Sequence, residues 1–366
     1  MAATADDPRP PGQENASGGG GAGPPTPEPT HSLWRGLISL AVLVAIVVGL
    51  LLAVPGLHGV ANQVSDMRLG WVLVAVGFEI LSCVGYVIAF LQVFERAPVR
   101  FGARVALSEL AFGSAVSLGG AGSIAVGAWL LVERGGEPTR IAERSAVLFL
   151  ITSAINVITL VLAGLGLFTG LLAGPSNPLL SVLPAAVGTV AFVFFLALPR
   201  FSDRLAAGRS PGRIRTLLVE GAASIRLSEQ VLFRRDWRIV GAIAYLWCDI
   251  AVLAACFAAA GFTPPLATLV LAYQIAYMSN LIPVPGNIGV LDGSLVGMFV
   301  IYGTSATLAT AATVVYHAIA LWIPALWGTG AFLILRRTRD RPIHLRPPRE
   351  ERRKLRRDAR SERFED

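Results

Sequence analysis

Charge is scarce in this sequence. Only 15% of its 366 residues are Asp, Glu, Lys or Arg, against about a quarter in an average soluble domain, so the polar surface of a water-soluble fold is missing. Cysteine is scarce too. The three present, Cys83, Cys248 and Cys256, all sit inside apolar runs without a CxxC or Cys/His spacing, which points to packing rather than redox chemistry or a metal site. No metal or cofactor is expected. There is no DxD, no HxxxD-type cluster and no nucleotide-binding loop. A pI near 9.9 comes without any nucleic-acid-binding motif, and the basic residues lie where membrane topology would put them.

What is abundant is apolar sequence. Hydrophobic residues make up 54% of the chain and the mean hydropathy is +0.62, which describes an all-α polytopic protein of the cell membrane. Residues 1–33, rich in Pro, Gly and small polar side chains, have little to bury and read as a disordered tail. A cleaved leader is not expected, because the first apolar run begins only near Leu37 and is long enough to remain as a membrane helix. Six runs approach or exceed the roughly 20 residues that a crossing needs: 37–54, 70–93, 145–169, 179–198, 238–260 and 305–335. Two more regions, 105–132 and 266–302, are interrupted near their middles, giving eight hydrophobic regions within a transmembrane domain spanning 34–336.

The basic residues orient these runs, since Lys and Arg in short loops stay in the cytoplasm. Arg96, Arg100 and Arg104 precede the first interrupted region, and Arg134, Arg140 and Arg144 follow it. Loop 199–238 holds nine arginines, and the tail 337–366 is densely basic. The connections near 55–69, 170–178, 261–265 and 303–304 carry one basic residue, Arg68. Both termini are therefore expected inside. The first interrupted region enters and leaves on the cytoplasmic side, and the second does so on the outer side. Each can be a re-entrant hairpin or a pair of crossings; hairpins are expected because the arms are mostly short of a full span. Loop and tail serve first to fix topology, and residues 213–235 have the spacing of an interfacial amphipathic helix.

In order, the first half reads helix, hairpin from inside, helix; the second reads helix, hairpin from outside, helix. That is the layout of an inverted repeat, whose substrate site lies where the broken helices meet. The polar residues that reach mid-membrane are Glu79 and Asn156 in the first unit, and Asp249 and His317 in the second. Ionisable groups at that depth cost roughly 2.5–3.5 kcal/mol, so they face a cavity or one another. Either they line a substrate site or they form a structural network, such as Asp249 with His317. Glu109, read as a turn from the cytoplasmic edge, is expected to reach the interface and is left out of the site.

The interruptions have their own chemistry. In AVSLGGAGSIAVG, Gly119, Gly120 and Gly122 let the chain reverse and Ser123 caps the outgoing arm; in NLIPVPGNIGVLDG, which opens on Asn280, Pro283, Pro285 and Gly286 stop one arm and Asn287 caps the next. Both outgoing arms then begin with a helix N-terminus near the midplane, a favourable place for a phosphate. Asp292 either complements that dipole or holds a cation, a proton or a headgroup amine.

The second segment resembles the PxPGGxGxxE-type segment of the lysylphosphatidylglycerol synthase transmembrane-region family of flippase-like proteins. Pro283, Pro285, Gly286 and Gly289 match it; Asn287 stands where a second glycine is common and Asp292 where glutamate is common. The glycine-rich AVSLGGAGS occupies the place of the family's earlier break, without the proline often found there. The resemblance implies movement of a polar lipid between leaflets. It does not extend to the aminoacyl-transferring domain of the full resistance factors, so synthesis of an aminoacylated lipid is not expected.

The leading expectation is a lipid flippase or related transporter for a lipid with a phosphate or amine headgroup, with Glu79, Asn156, Asn280, Asp249, Asp292 and His317 at the substrate or coupling site. A membrane enzyme acting on a lipid-linked substrate and a scaffold recruiting partners through the Arg-rich loop and tail are the alternatives.

Overall fold

A computed structural model describes residues 58–115, 121–174, 178–206, 237–278 and 290–338. The regular structure among these is helical: α1 (His58–Ser65), α2 (Leu69–Val93), α3 (Val99–Ala115), α4 (Ala121–Val132), α5 (Pro138–Phe168), α6 (Pro178–Ala206), α7 (Ile239–Ala259), α8 (Leu266–Tyr277), α9 (Val290–Ile301) and α10 (Ala306–Arg337). Four of them, α2, α5, α7 and α10, are long and apolar enough to cross a bilayer. The protein is a multi-pass, all-α membrane protein.

These four answer to the expected runs 70–93, 145–169, 238–260 and 305–335, with two extensions that local chemistry explains. Helix α5 starts seven residues early because Pro138 sits in its first turn, where a missing N–H leaves no bond unmade. Helix α10 ends on Arg336 and Arg337, which complement the negative end of its dipole. Helix α6 runs on to Ala206, past the apolar stretch Leu179–Phe194, into what the charge pattern marked as loop. The connection read as 55–69 is not all loop either, since it contains α1. The expected span 37–54, the amphipathic segment 213–235 and the basic tail from 339 lie outside the described residues.

Each interrupted region is a pair of short helices in contact, α3 with α4 and α8 with α9. At 1.5 Å per residue a 12-residue arm is about 18 Å long, well short of the roughly 30 Å hydrocarbon core. Three of the four arms are of this length: α4, α8 and α9. Gly122 and Ser123 fall in the first turn of α4. Gly119, Gly120, Asn280, Pro283, Pro285, Gly286, Asn287 and Gly289 lie outside the described residues.

The centre of the molecule is the antiparallel pair α2 and α7, the most extensive helix contact in the fold. Its two ends are tied in the same way. Arg68, the residue before α2, donates from Nη2 to the Ala258 carbonyl at the end of α7 (2.9 Å); Arg238, the residue before α7, donates from Nη1 to the Leu91 carbonyl near the end of α2 (3.0 Å). Each guanidinium thus adds a donor to a carbonyl in the last turn of the facing helix, where intrahelical N–H partners run short. Between these ties the backbones nearly touch. A Cβ on Gly85 would lie 2.7 Å from the Tyr245 nitrogen and 2.8 Å from the Gly241 carbonyl oxygen, and the Ser82 hydroxyl donates to the Tyr245 carbonyl at 2.9 Å. Small residues let membrane helices gain dispersion contact where no hydrophobic drive exists between them.

Around this pair, α10 lies along α3, with Gly328 set against the Leu107 carbonyl, and α5 packs on α6 and touches α8. One end of the bundle is stitched by Gln63 to the Ala260 carbonyl and by Tyr302 to the Leu180 carbonyl. The other is stitched by Arg134 to the Leu335 carbonyl and by Arg144 to the Val93 carbonyl.

The close approach separates two glycines of one helix. Gly85→Ala is expected to destabilise the detergent-purified protein by about 1–3 kcal/mol, the usual range for overpacking. Gly77→Ala, with nothing within 4 Å of its added methyl group, is expected to be neutral or slightly stabilising. Thermal unfolding of the two variants checks the pair; equal melting temperatures would contradict the packing.

Candidate functional site

Asp249 is the hub. It lies on α7, and its carboxylate accepts hydrogen bonds from the Tyr273 hydroxyl of α8 and the Tyr316 hydroxyl of α10, the latter at 3.2 Å to Oδ1 and 3.1 Å to Oδ2. A carboxylate away from water must be solvated by the protein itself. Here two phenols from different helices do so, and in doing so they tie α7 to α8 and to α10. The Tyr273 ring stacks on Tyr277 at 5.4 Å and meets Tyr316 edge-on at 6.5 Å, which fixes the direction of both hydroxyls.

Glu79 faces the same region from α2. It stands eleven residues beyond Arg68, and Asp249 stands eleven beyond Arg238, so the two antiparallel helices bring their carboxylates to matching depths. Glu79 is only 5% exposed. Its Oε1 receives a long contact from the Cys83 thiol (3.8 Å) and its Oε2 has no hydrogen-bond partner. Ser82, one turn along α2, bonds the Tyr245 carbonyl of α7, and that register brings Glu79 level with Asp249 across the crossing.

Beside Asp249 lies a cavity of about 10 Å³, walled by Thr152 and Asn156 of α5, Tyr245 and Asp249 of α7, and Tyr273 and Tyr277 of α8. That volume is close to what a single water needs. Asn156 donates to the Thr152 carbonyl at 2.9 Å, and its Oδ1 is buried without a partner. Of the expected residues, Asn156 and Asp249 therefore line one small cavity, and Glu79 does not line it.

Asp292 and His317 do not join them. They pair with each other, Oδ1 to Nδ1 at 2.8 Å, between the first turn of α9 and the middle of α10. The contact of Asp249 with His317, which a purely structural network could have used, is not formed. Successive side chains on a helix point about 100° apart, so Tyr316 takes the place facing α7 and His317 turns toward α9.

Glu109 also departs from expectation. Helix α3 begins at Val99 rather than at 105, which puts Glu109 about 15 Å along it, and its side chain faces the helix packing instead of reaching outward. The residue is 2% exposed and accepts a hydrogen bond from the Tyr86 hydroxyl of α2 at 2.8 Å. It presses on α4, where a Cβ at Gly127 would overlap the carboxylate. Tyr86 in turn packs on Tyr245 with ring centroids 5.1 Å apart. The pairing of a leading helix with the next arm by a tyrosine and a carboxylate occurs twice: Tyr86 with Glu109, and Asp249 with Tyr273. The sequence reading missed these phenols. Their signal was positional, since five of the six tyrosines in the chain, Tyr86, Tyr245, Tyr273, Tyr277 and Tyr316, fall deep in apolar runs.

A model of the lysylphosphatidylglycerol synthase transmembrane region matches residues 36–328. The chain belongs to that family. A UPF0104 membrane protein of Methanothermobacter thermautotrophicus is 35% identical over 85 residues, which cover 23% of this chain and 24% of that protein. The chain thus aligns with about a quarter of the length of that curated relative. Among the described residues of this family member, no group of three His, Cys, Asp or Glu side chains is placed to hold a metal.

The Tyr86–Glu109 contact depends on the glycine opposite. Gly127→Ala should displace the Glu109 carboxyl group and lower stability, Tyr86→Phe should cost about 1–3 kcal/mol because it leaves a buried acceptor without its donor, and the double variant should lose less than the sum because both act on one contact. Additive losses in thermal or denaturant unfolding would show that Gly127 does not support this pair.

Proposed function

We propose that the protein moves a polar lipid between the leaflets of the membrane, with the lipid headgroup engaged at the cavity beside Asp249. The observation that carries this reading is that cavity: a carboxylate, an amide and three phenols gathered at the depth of the bilayer, where polar groups are kept for a function or a structural partner.

The fold supports the same reading. The regions 105–132 and 266–302 act as re-entrant hairpins entering from opposite sides, and the two halves act as an inverted repeat. Support comes from the short arms, from the mirrored arginine ties of α2 and α7, and from the doubled tyrosine–carboxylate pairing. The stitched end containing Arg134, Arg144 and Arg238 is taken as cytoplasmic by the positive-inside rule. In this scheme α2 and α7 are the fixed axis and the hairpins with α5 and α10 rock about it, as in other inverted-repeat transporters.

A cavity with room for about one water holds no headgroup, so the described arrangement is an occluded one that must widen. Opening parts α5 or α8 from α7 and frees Asp249, Tyr245 and Tyr277 to engage a positively charged amine. The headgroup phosphate is directed to the N-terminus of α4, opened by Gly122 and Ser123. The N-terminus of α9 is less suited to an anion, because Asp292 already occupies its first turn and is held there by His317.

Reconstitution in liposomes tests this by following the exposure of labelled headgroups to a membrane-impermeant quencher. Asp249→Asn, which replaces the charged acceptor of two hydrogen bonds worth about 1.5–3 kcal/mol each, is expected to slow translocation by about tenfold or more. Asp292→Asn is expected to have the smaller effect. Wild-type rates for Asp249→Asn would remove the cavity from the transport path.

A further inference from the structure

Glu79 is left without a role by the cavity alone, because it does not line it. Its surroundings are nevertheless unusual. The crossing register sets its neighbours: Ser82 bonds the Tyr245 carbonyl, so one turn further on Glu79 comes level with Cys248 and Asp249 of α7, with Cys83 against it on its own helix and the phenols Tyr273 of α8 and Tyr316 of α10 on Asp249; on α3, Glu109 is bound to Tyr86 two turns along α2, and His317 of α10 is turned to Asp292. The groups set against the two carboxylates are thus thiols and phenols, and none supplies a positive charge. The nearest basic side chains on α2 and α7 are their capping arginines, both committed to helix-end carbonyls.

The two carboxylates at this crossing are treated differently. Asp249 is solvated by two phenols, as an ionised carboxylate requires. Glu79 has one weak thiol contact and an oxygen, Oε2, that is buried and unpartnered. Two like charges in a low-dielectric site do not both persist, and such pairs hold one proton between them. The group with the poorer solvation takes it. A metal cation fits poorly here, since it needs several ligands and no group of three His, Cys, Asp or Glu side chains is placed to hold one among the described residues.

We propose that Glu79 and Asp249 form a proton-binding site, holding one proton in the occluded state and releasing it when a cationic headgroup enters, so that lipid movement is coupled to a proton. On release the Glu79 O–H bond breaks, the electron pair stays on the carboxylate and the proton passes to water in the widened cavity. The incoming amine then supplies the positive charge that the proton had supplied. This rests on the transport reading above, but its first half does not.

The full chain, purified and reconstituted, tests both halves. Infrared difference spectroscopy at neutral pH should show the carbonyl stretch of a protonated carboxylic acid that Glu79→Gln removes and Glu109→Gln leaves in place. In Asp249→Asn, where no second charge remains, the band should weaken. Should Glu79→Gln fail to fold, Glu79→Asp should retain the band at a shifted frequency. Absence of a Glu79-dependent band overturns the proposal. In liposomes holding labelled phospholipid, an imposed pH gradient should change the translocation rate of the wild type, and Glu79→Gln should lose that response. A band with no response to the gradient overturns the coupling, while a wild type that moves no lipid under any gradient contradicts the transport reading and leaves the shared proton to be decided by the spectrum.

Discussion

A carboxyl group held within the hydrocarbon layer has no water to turn to, and the protein must supply every polar partner it needs. Asp249 meets that requirement through Tyr273 and Tyr316, which belong to separate helices. The consequence reaches beyond one side chain. Helices α8 and α10 are positioned by the demand of a charge on α7, and the apolar packing of Phe257 on Phe299 (ring centroids 4.5 Å apart) closes the core alongside. Without that charge the three helices would be held by apolar packing alone, with less to fix their register.

The same constraint shapes the α2–α7 crossing. Carboxylates at matching depths on two helices can share an environment only if the helices run close, and Gly85 with Gly241 lets the backbones approach until no side chain could fit. The arginine ties at either end then hold the pair in register. An antiparallel axis with paired short helices docked on its flanks is a natural frame for motion, because α3 and α8 each meet it through a tyrosine–carboxylate hydrogen bond, whereas the axis itself is closed along its length.

Much of this was legible in the sequence, and the limits follow from geometry. The four long spans, the two interrupted regions and the depth of Glu79, Asn156 and Asp249 could be read because an ionisable or amide side chain inside an apolar run stands out. Tyrosine does not stand out there, being at home in cores and at interfaces, so the phenols that solvate Asp249 went unread. The choice between Tyr316 and His317 as its partner turns on one residue of helical rotation, which periodicity cannot resolve in a helix apolar nearly all round. Glu109 was misread because its distance from Arg104 was counted along the chain alone, whereas the packing of α3 turns the side chain inward onto Tyr86. The segments that first suggested a family, around Gly119 and Pro283, lie outside the described residues, and the family is carried instead by the match across residues 36–328.

The central claim is that a polar lipid headgroup is recognised at Asp249 and its phenols. Mass spectrometry of lipids that remain bound through purification tests it most directly, comparing the wild type with Asp249→Asn prepared side by side. The account predicts a polar lipid enriched over bulk membrane in the wild type and reduced to bulk proportion in the variant. The same enriched lipid at the same occupancy in both would contradict it.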